Sequence, residues 1–158
     1  MKLEDIRKNI DETDRELFKL FEKRMALAKE VALSKLETGD EIYKPEREEI
    51  VIEKFSQSAP DDMKQYYKSF IKRVMLISRE YQYKIISENK EGSFENRTVQ
   101  VTFESDYWPD AIITAIADSG AQITDIHKEE DAYTLNIICS DDNEKMKALL
   151  SLIENESR

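Results

Sequence analysis

Three cations interrupt an apolar seam at the start of this chain. Taken at every third or fourth residue from Leu3, the series reads Leu3, Arg7, Ile10, Asp14, Leu17, Phe21, Arg24, Ala28, Val31, Lys35. The mean step is about 3.5 residues, the spacing of a helix whose seam lies along partners. Arg7, Arg24 and Lys35 therefore face a core, where a cation is costly unless it meets an anion. Asp14 is the one acid of the seam and cannot satisfy all of them. A seam of this kind can hold a small anion. Arg24 and Lys35 are 11 residues apart, about 16 Å along a helix and close to three full turns. Two long side chains at that separation can close around a small molecule. Arg7 and Lys35 are 28 residues apart, about 42 Å at the same rise. They cannot meet over one small ligand within one straight helix. If Arg7 serves the same kind of site, it comes from a second copy running antiparallel. The alternative is a long coiled-coil helix whose seam cations pair with acids of neighbouring helices.

Other chemistry is excluded by what the chain lacks. Cys139 is the only cysteine and His127 the only histidine. That leaves no internal disulfide, no cysteine-cluster metal site and no site built from several histidines, which removes most zinc sites. Cys139 is expected to pack as a small apolar residue, and His127 to sit at a strand end on the surface. Ser78 and Gln82 lie one turn apart on an otherwise apolar helical face. Taken singly they read as incidental polar residues at a helix edge.

The elements that position these residues follow from the periodicity. The first helix runs from Leu3 to about Leu36 with no Pro or Gly before Gly39. It is too charged for a membrane span. Thr38-Gly39-Asp40 reads as its stop, with Gly39 able to adopt the left-handed conformation. Pro45 suits the first turn of a second helix, about Pro45–Gln57, and Glu46, Glu48 and Glu49 favour its N-terminus. Ser58 to Asp62 marks a boundary. A third helix runs from about Asp61 to Ile86, with Met63, Tyr67, Phe70, Ile71, Val74, Ile77, Tyr81 and Ile85 at helical spacing. Ser87–Asn96 is polar and contains Gly92, a linker. Beyond it the period falls to two: Val99, Val101 and Phe103 alternate with polar residues. Pro109 opens a helical run over about Asp110–Ser119. Ile123 and Ile126 lie in a strand, Lys128–Asp131 form a turn, and Tyr133, Leu135, Ile137 and Cys139 mark the next strand. A last helix runs over about Asp142–Glu154. Strand, helix, strand, strand, helix is an α+β half-sandwich, one sheet face covered by helices.

Charge divides the chain in the same place. The 158 residues are 37% charged and 40% apolar, with a net charge of −10. Residues 1–88 carry 18 Lys and Arg against 19 Asp and Glu, a balance of −1, and residues 89–158 carry 6 against 15, a balance of −9. Two modules are expected, 1–88 and 98–158, joined by a linker over 89–97. Neither is a basic nucleic-acid surface. The opening MKLEDIRKNI lacks the apolar run of a signal peptide, so a cytoplasmic protein with no membrane partner is expected.

The segments IRKNIDETDRELFKLFEKR, ALAKEVALSK, YKPEREEIV and LISREYQ, on long, short and long helices, resemble the all-helical class of chorismate mutase. The resemblance covers residues 1–88. It implies an all-α, three-helix domain that forms an intertwined homodimer, acts on chorismate and needs no cofactor or metal. Arg7 matches the arginine lent by the partner subunit, and Arg24 the arginine that holds a substrate carboxylate. Lys35 and Gln82 match the pair on the ether oxygen. Arg47 and Glu48 match the Arg-Glu pair opening the second helix, with Glu48 on the substrate hydroxyl. Ser78 matches a hydroxyl near a carboxylate. Lys44 departs from the pattern, standing where many members place an aspartate. If that position acts through its backbone, little is lost; if its side chain matters, affinity or rate suffers.

The residue types suit the implied reaction. Rearrangement of the chorismate dianion to prephenate is intramolecular and pericyclic, in the Phe/Tyr branch of aromatic amino-acid biosynthesis. It needs no nucleophile and no proton abstraction. Fixing the reactive conformer between cations, and stabilising charge on the breaking ether oxygen, is what helps. Isochorismate pyruvate lyase uses the same helical frame, and a catalytically idle helical dimer acting as a scaffold or regulatory partner is a further alternative. Glu48 on the ring hydroxyl favours the mutase. The segment WPDAIITAIADSGAQITDI and the element order around it look like an ACT domain, a family that binds small metabolites to regulate an attached enzyme. That implies an aromatic amino-acid effector, with Asp106, Tyr107 and Trp108 at the first strand–helix turn either lining its site or serving as a hydrophobic anchor. The pattern is loose: Pro109-Asp110 replaces the usual Pro-Gly, and no clear segment for a final strand follows the last helix. A plain dimerisation or stability module is the alternative.

Overall fold

The computed structural model describes residues 1–88, 97–104, 110–139 and 144–156. The linker expected over 89–97 lies outside these residues up to position 96, as do Asp106, Tyr107, Trp108 and Pro109.

Helix α1, Leu3–Thr38, is 36 residues long. It runs two residues beyond the expected end because only Gly39 can take the terminating conformation. Gly39 has φ 72°, and its N–H donates to the Lys35 carbonyl oxygen, as a left-handed helix stop should. Among α1 residues only Ala28 and Ala32 are buried. Residues 3–20 are exposed throughout. Leu3, Ile10, Leu17 and Phe18 each expose between 47% and 61% of their surface, so this half of α1 leaves its apolar seam in water.

Helix α2, Pro45–Ser56, begins with Pro at its first turn and Glu46 and Glu48 beside it. Helix α3, Lys64–Glu88, starts three residues later than expected. The Met63 N–H donates to the Pro60 carbonyl oxygen, so the intervening residues form a turn and not the first helical turn. Strand β1 (Arg97–Glu104), helix α4 (Asp110–Ser119), strands β2 (Gln122–Lys128) and β3 (Ala132–Cys139) and helix α5 (Glu144–Glu156) complete the chain. No helix among the described residues is long and apolar enough to cross a membrane.

The sheet is antiparallel in the order β1-β3-β2, with Val101 opposite Leu135 and Val99 opposite Ile137. Along β1 and β3 the two faces differ as period-two alternation requires, whereas β2 is exposed at every residue, Ile123 and Ile126 included, so the helices cover only part of the expected sheet face. Val101, Leu135, Ile137 and Cys139 point into a core completed by Ile112, Ala115 and Ile116 of α4 and by Met146, Leu149, Leu152 and Ile153 of α5. The other face carries Gln100 hydrogen-bonded to Asn136 and Thr102 to Thr134. Cys139 is fully buried. His127 is exposed at the end of β2, 4.0 Å from Glu129. The same core takes in Leu76 and Tyr83 of α3, so α3 is a wall common to the helical part and the α+β part.

That double duty changes which α3 residues are buried. The apolar series expected along this helix includes Met63 and Phe70, which are about half exposed, while Met75, Leu76, Ser78, Arg79, Gln82 and Tyr83 are buried. Met75, Ser78 and Gln82 follow one helical face, and Leu76, Arg79 and Tyr83 the next. A helix packed on two sides buries two adjacent stripes, which a single-period reading merges into one.

Candidate active site

The C-terminal half of α1, the loop after it, the start of α2 and the middle of α3 enclose a cavity of about 350 Å³. Arg24, Lys35, Lys44, Arg47, Glu48, Ser78 and Gln82 all line it, between the apolar side chains of Leu27, Val31, Ile42, Val51 and Met75. A larger hollow of about 420 Å³ between α1, α3, α4 and α5 has a single cation, Lys84, and none of these groups. Arg7 is exposed on the N-terminal half of α1 and lies outside the cavity.

Lys35 is fixed by the stop of its own helix. Gly39 turns the chain back, so the Lys35 ammonium donates to the carbonyl oxygens of Glu41 at 2.6 Å and Ile42 at 3.2 Å. An ammonium has three donors, which leaves one for a ligand. Burial lowers the Lys35 pKa from its ordinary value; Lys44 and Arg47 add to that effect, while Asp40 and Glu48 oppose it. Lys44 pairs with Asp40 at 2.7 Å, and that hydrogen bond holds the Asp40 carboxyl below its usual range. Arg24 and Arg47 make no ion pair among the described residues.

Ser78 and Gln82 sit one α3 turn apart, and the Gln82 amide nitrogen donates to the Ser78 oxygen at 3.3 Å. The Gln82 amide oxygen is buried and has no hydrogen-bond partner among the described residues. A half-turn of the terminal torsion exchanges the two ends of a primary amide. The open end can therefore present either an acceptor or a donor to a molecule in the cavity.

Glu48 reaches the cavity from the first turn of α2. Both of its carboxylate oxygens accept hydrogen bonds from Arg79 Nη1, at 2.8 and 2.7 Å. Arg79 also lines the cavity and is only 5% exposed. Its Nε donates to Glu156 of α5 at 3.1 Å, and the Tyr43 ring lies 4.4 Å from its guanidinium carbon. Burial pulls the Arg79 pKa down, but Glu156 and Glu48 more than offset it and the net shift is upward. Arg79, Tyr43 and Glu156 were not anticipated from the sequence. Arg79 and Tyr43 lie inside the segments LISREYQ and YKPEREEIV, and Arg79 directly follows Ser78, which was the available signal. Nothing in the sequence singles out Glu156.

The cavity is strongly positive. Arg24, Lys35, Lys44, Arg47 and Arg79 line it, against the single acid Glu48. Apolar helix faces between these charges strengthen each interaction with a bound anion. It can hold a small dianion, donate to a polar atom between Lys35 and Gln82, and accept from a hydroxyl through Glu48.

Residues 6–83 match the family described as chorismate mutase type II. A chorismate mutase of Methanocaldococcus jannaschii is 45% identical over 53 residues, which is 34% of this chain and 54% of that protein. The chain thus spans about half the length of this curated relative. No solved structure matches.

Proposed function

We propose that the protein is a chorismate mutase, converting chorismate to prephenate at the cavity between α1, α2 and α3. The observation that carries this reading is one cavity lined by Arg24, Lys35, Arg47, Glu48, Ser78 and Gln82, within the residues that match the family. In this reading the ether C–O bond of chorismate breaks as a C–C bond forms within the same molecule, with no proton or electron supplied by the protein. Arg24 and Arg47 bind the substrate carboxylates and hold the reactive conformer. Ser78 lies beside a carboxylate, and its one hydroxyl proton goes to the oxygen of the turned Gln82 amide. Lys35 and the turned Gln82 amide donate to the ether oxygen as negative charge develops there. Glu48 accepts from the ring hydroxyl. Lys44 adds positive charge at the rim and acts chiefly through its backbone, because its ammonium is already paired with Asp40.

The active form in this reading is a homodimer in which Arg7 of one chain completes the site of the other. The exposed apolar residues of α1, including Leu3, Ile10 and Leu17, support this, since a second copy of α1 running antiparallel covers them. The α+β part is taken as a regulatory module for an aromatic amino acid, and the protein as cytoplasmic.

The test is the loss of chorismate absorbance with purified protein. Turnover by wild type and its collapse in Lys35→Ala is the expected result. Background rates in both proteins, or release of salicylate and pyruvate from isochorismate, would reject the mutase reading.

A further inference from the structure

Helix α3 presents two adjacent stripes to two different environments. Met75, Ser78 and Gln82 line the cavity. Leu76 and Tyr83 belong to the core shared with the sheet, α4 and α5. Arg79 lies on the boundary between these stripes, and its guanidinium reaches both ways. One nitrogen holds Glu48 with both carboxylate oxygens, and another holds both oxygens of Glu156 at 3.1 and 3.3 Å.

We propose that Glu156 of α5 is a positioning residue for the cavity, setting through Arg79 the orientation and free charge of Glu48. The proposal rests on the mutase reading for its kinetic consequence but not for its geometry. Glu156 is 6% exposed and Arg79 5%, so neither charge is screened by water. A guanidinium between two carboxylates cannot rotate towards one without abandoning the other. Its plane is further held by the Tyr43 ring at 4.4 Å. Glu48 is thereby locked in the direction Nη1 allows. Without the second carboxylate, Arg79 has Glu48 as its only counter-charge and draws it away from the ligand. With Glu156 in place, the three groups carry a net negative charge, and Glu48 keeps lone pairs to accept from a hydroxyl. Position 156 thus makes α5 part of the working site, although no α5 residue lines the cavity.

The alternative is that Glu156 and Arg79 only fasten α5 to α3. Glu156→Gln keeps the shape and removes the charge, and the 158-residue chain is assayed below its melting temperature. Removing the outer partner that orients a working side chain costs about 10–100-fold at metal ligands, and a kcat loss in that range with little change in KM is expected. The same substitution in a Glu48→Gln background is expected to change kcat less than about twofold, because the group it acts through is already altered. An undiminished kcat in the single variant, or an equal loss in both backgrounds, overturns the proposal. If Glu156→Gln does not fold, Glu156→Asp, which keeps the charge but retracts it, is read through the same cycle. A second readout needs no turnover. The carbon-13 carboxylate resonance of Glu48 in ligand-free protein is expected to shift in Glu156→Gln, and the protected Arg79 Nε proton to exchange faster. An unmoved Glu48 signal refutes the positioning role. Inactivity of the wild type, by contrast, refutes only the mutase reading.

Discussion

Arg79 grips Glu48 through a single nitrogen, Nη1, which donates to both carboxylate oxygens at 2.8 and 2.7 Å. The acid of the cavity is therefore held before any ligand arrives. Removing the guanidinium leaves Glu48 and the buried Glu156 facing each other without a counter-charge. Breaking a buried pair by deleting one partner costs about 3–5 kcal/mol. Arg79→Ala is expected to lose stability of that order, measured as a shift of the urea midpoint at unchanged slope. A loss below about 1 kcal/mol, the value of a surface pair, would show that the guanidinium does not hold the two acids.

Lys35 is preorganised by the carbonyl oxygens of Glu41 and Ile42, so its remaining donor costs little to aim. Loss of one such donor to a developing oxyanion costs about 3–4 kcal/mol, or 10²–10³ in rate. Lys35→Ala is expected to lower kcat by that factor and to change KM much less. An unchanged kcat with a raised KM would show that Lys35 only holds substrate.

In the mutase reading the same lysine is expected to set the alkaline limb. Burial lowers its pKa from the model-peptide 10.5, so the neutral amine appears at lower pH than for a lysine in water. A neutral amine cannot stabilise an oxyanion as an ammonium does. Activity is therefore expected to fall as pH rises through this lowered pKa, and kcat/KM, which reports the free enzyme, to turn down below pH 10.5. Lys35→Arg should lack that limb, because a guanidinium stays protonated throughout. A wild-type profile that stays flat to pH 10.5 excludes Lys35 as the group responsible.

Low pH acts on Glu156. Burial raises its pKa above 4.5 in spite of Arg79 and Tyr83 beside it, with Glu48 also raising it. The native state therefore takes up this proton at a higher pH than the unfolded chain, so its charged form costs stability above the folded pKa. That cost is relieved as pH falls through it. Protonation also withdraws the second carboxylate from Arg79. Activity is expected to fall on the acid side through this raised pKa while the protein stays folded, and Glu156→Gln should lack the step. A circular dichroism melt at each pH separates the two effects. Unfolding that coincides with the loss of activity would contradict the prediction.

Arg7 and Lys35 stand about 42 Å apart along one helix at 1.5 Å per residue, and α1 is continuous between them. If Arg7 is lent between chains, Arg7→Ala and Lys35→Ala should each be nearly inactive, and co-refolding them should restore activity. In a mixed dimer one site has both groups and the other has neither. Random exchange makes about half the dimers mixed, so roughly a quarter of all sites should recover. Mixtures that mass spectrometry shows to be heterodimeric, yet no more active than the separate variants, would rule out a shared site.

Much of this molecule is legible along the chain. The seam from Leu3 to Lys35 is the long helix, and Gly39 is its stop. The fall of the period from about 3.5 to two marks where the sheet begins. The resemblance read over residues 1–88 is met by the chorismate mutase type II match over residues 6–83. Arg24, Lys35, Lys44, Arg47, Glu48, Ser78 and Gln82 are brought to one cavity. These features are local, or repeat at a helical period, and such patterns survive in one dimension.

The union of α3 with the C-terminal part is not of that kind. Arg79 and Glu156 are 77 residues apart, and neither spacing nor composition links them. The sequence determined that α3 is amphipathic and that α5 has an apolar side. Which residues lie on the boundary between their two cores depends on how α5 lies against α3, and packing sets that only once the sheet, α4 and α5 have closed. A buried guanidinium between two acids is stable only when all three arrive together, so tertiary structure alone decided that Glu48 answers to the far end of the chain.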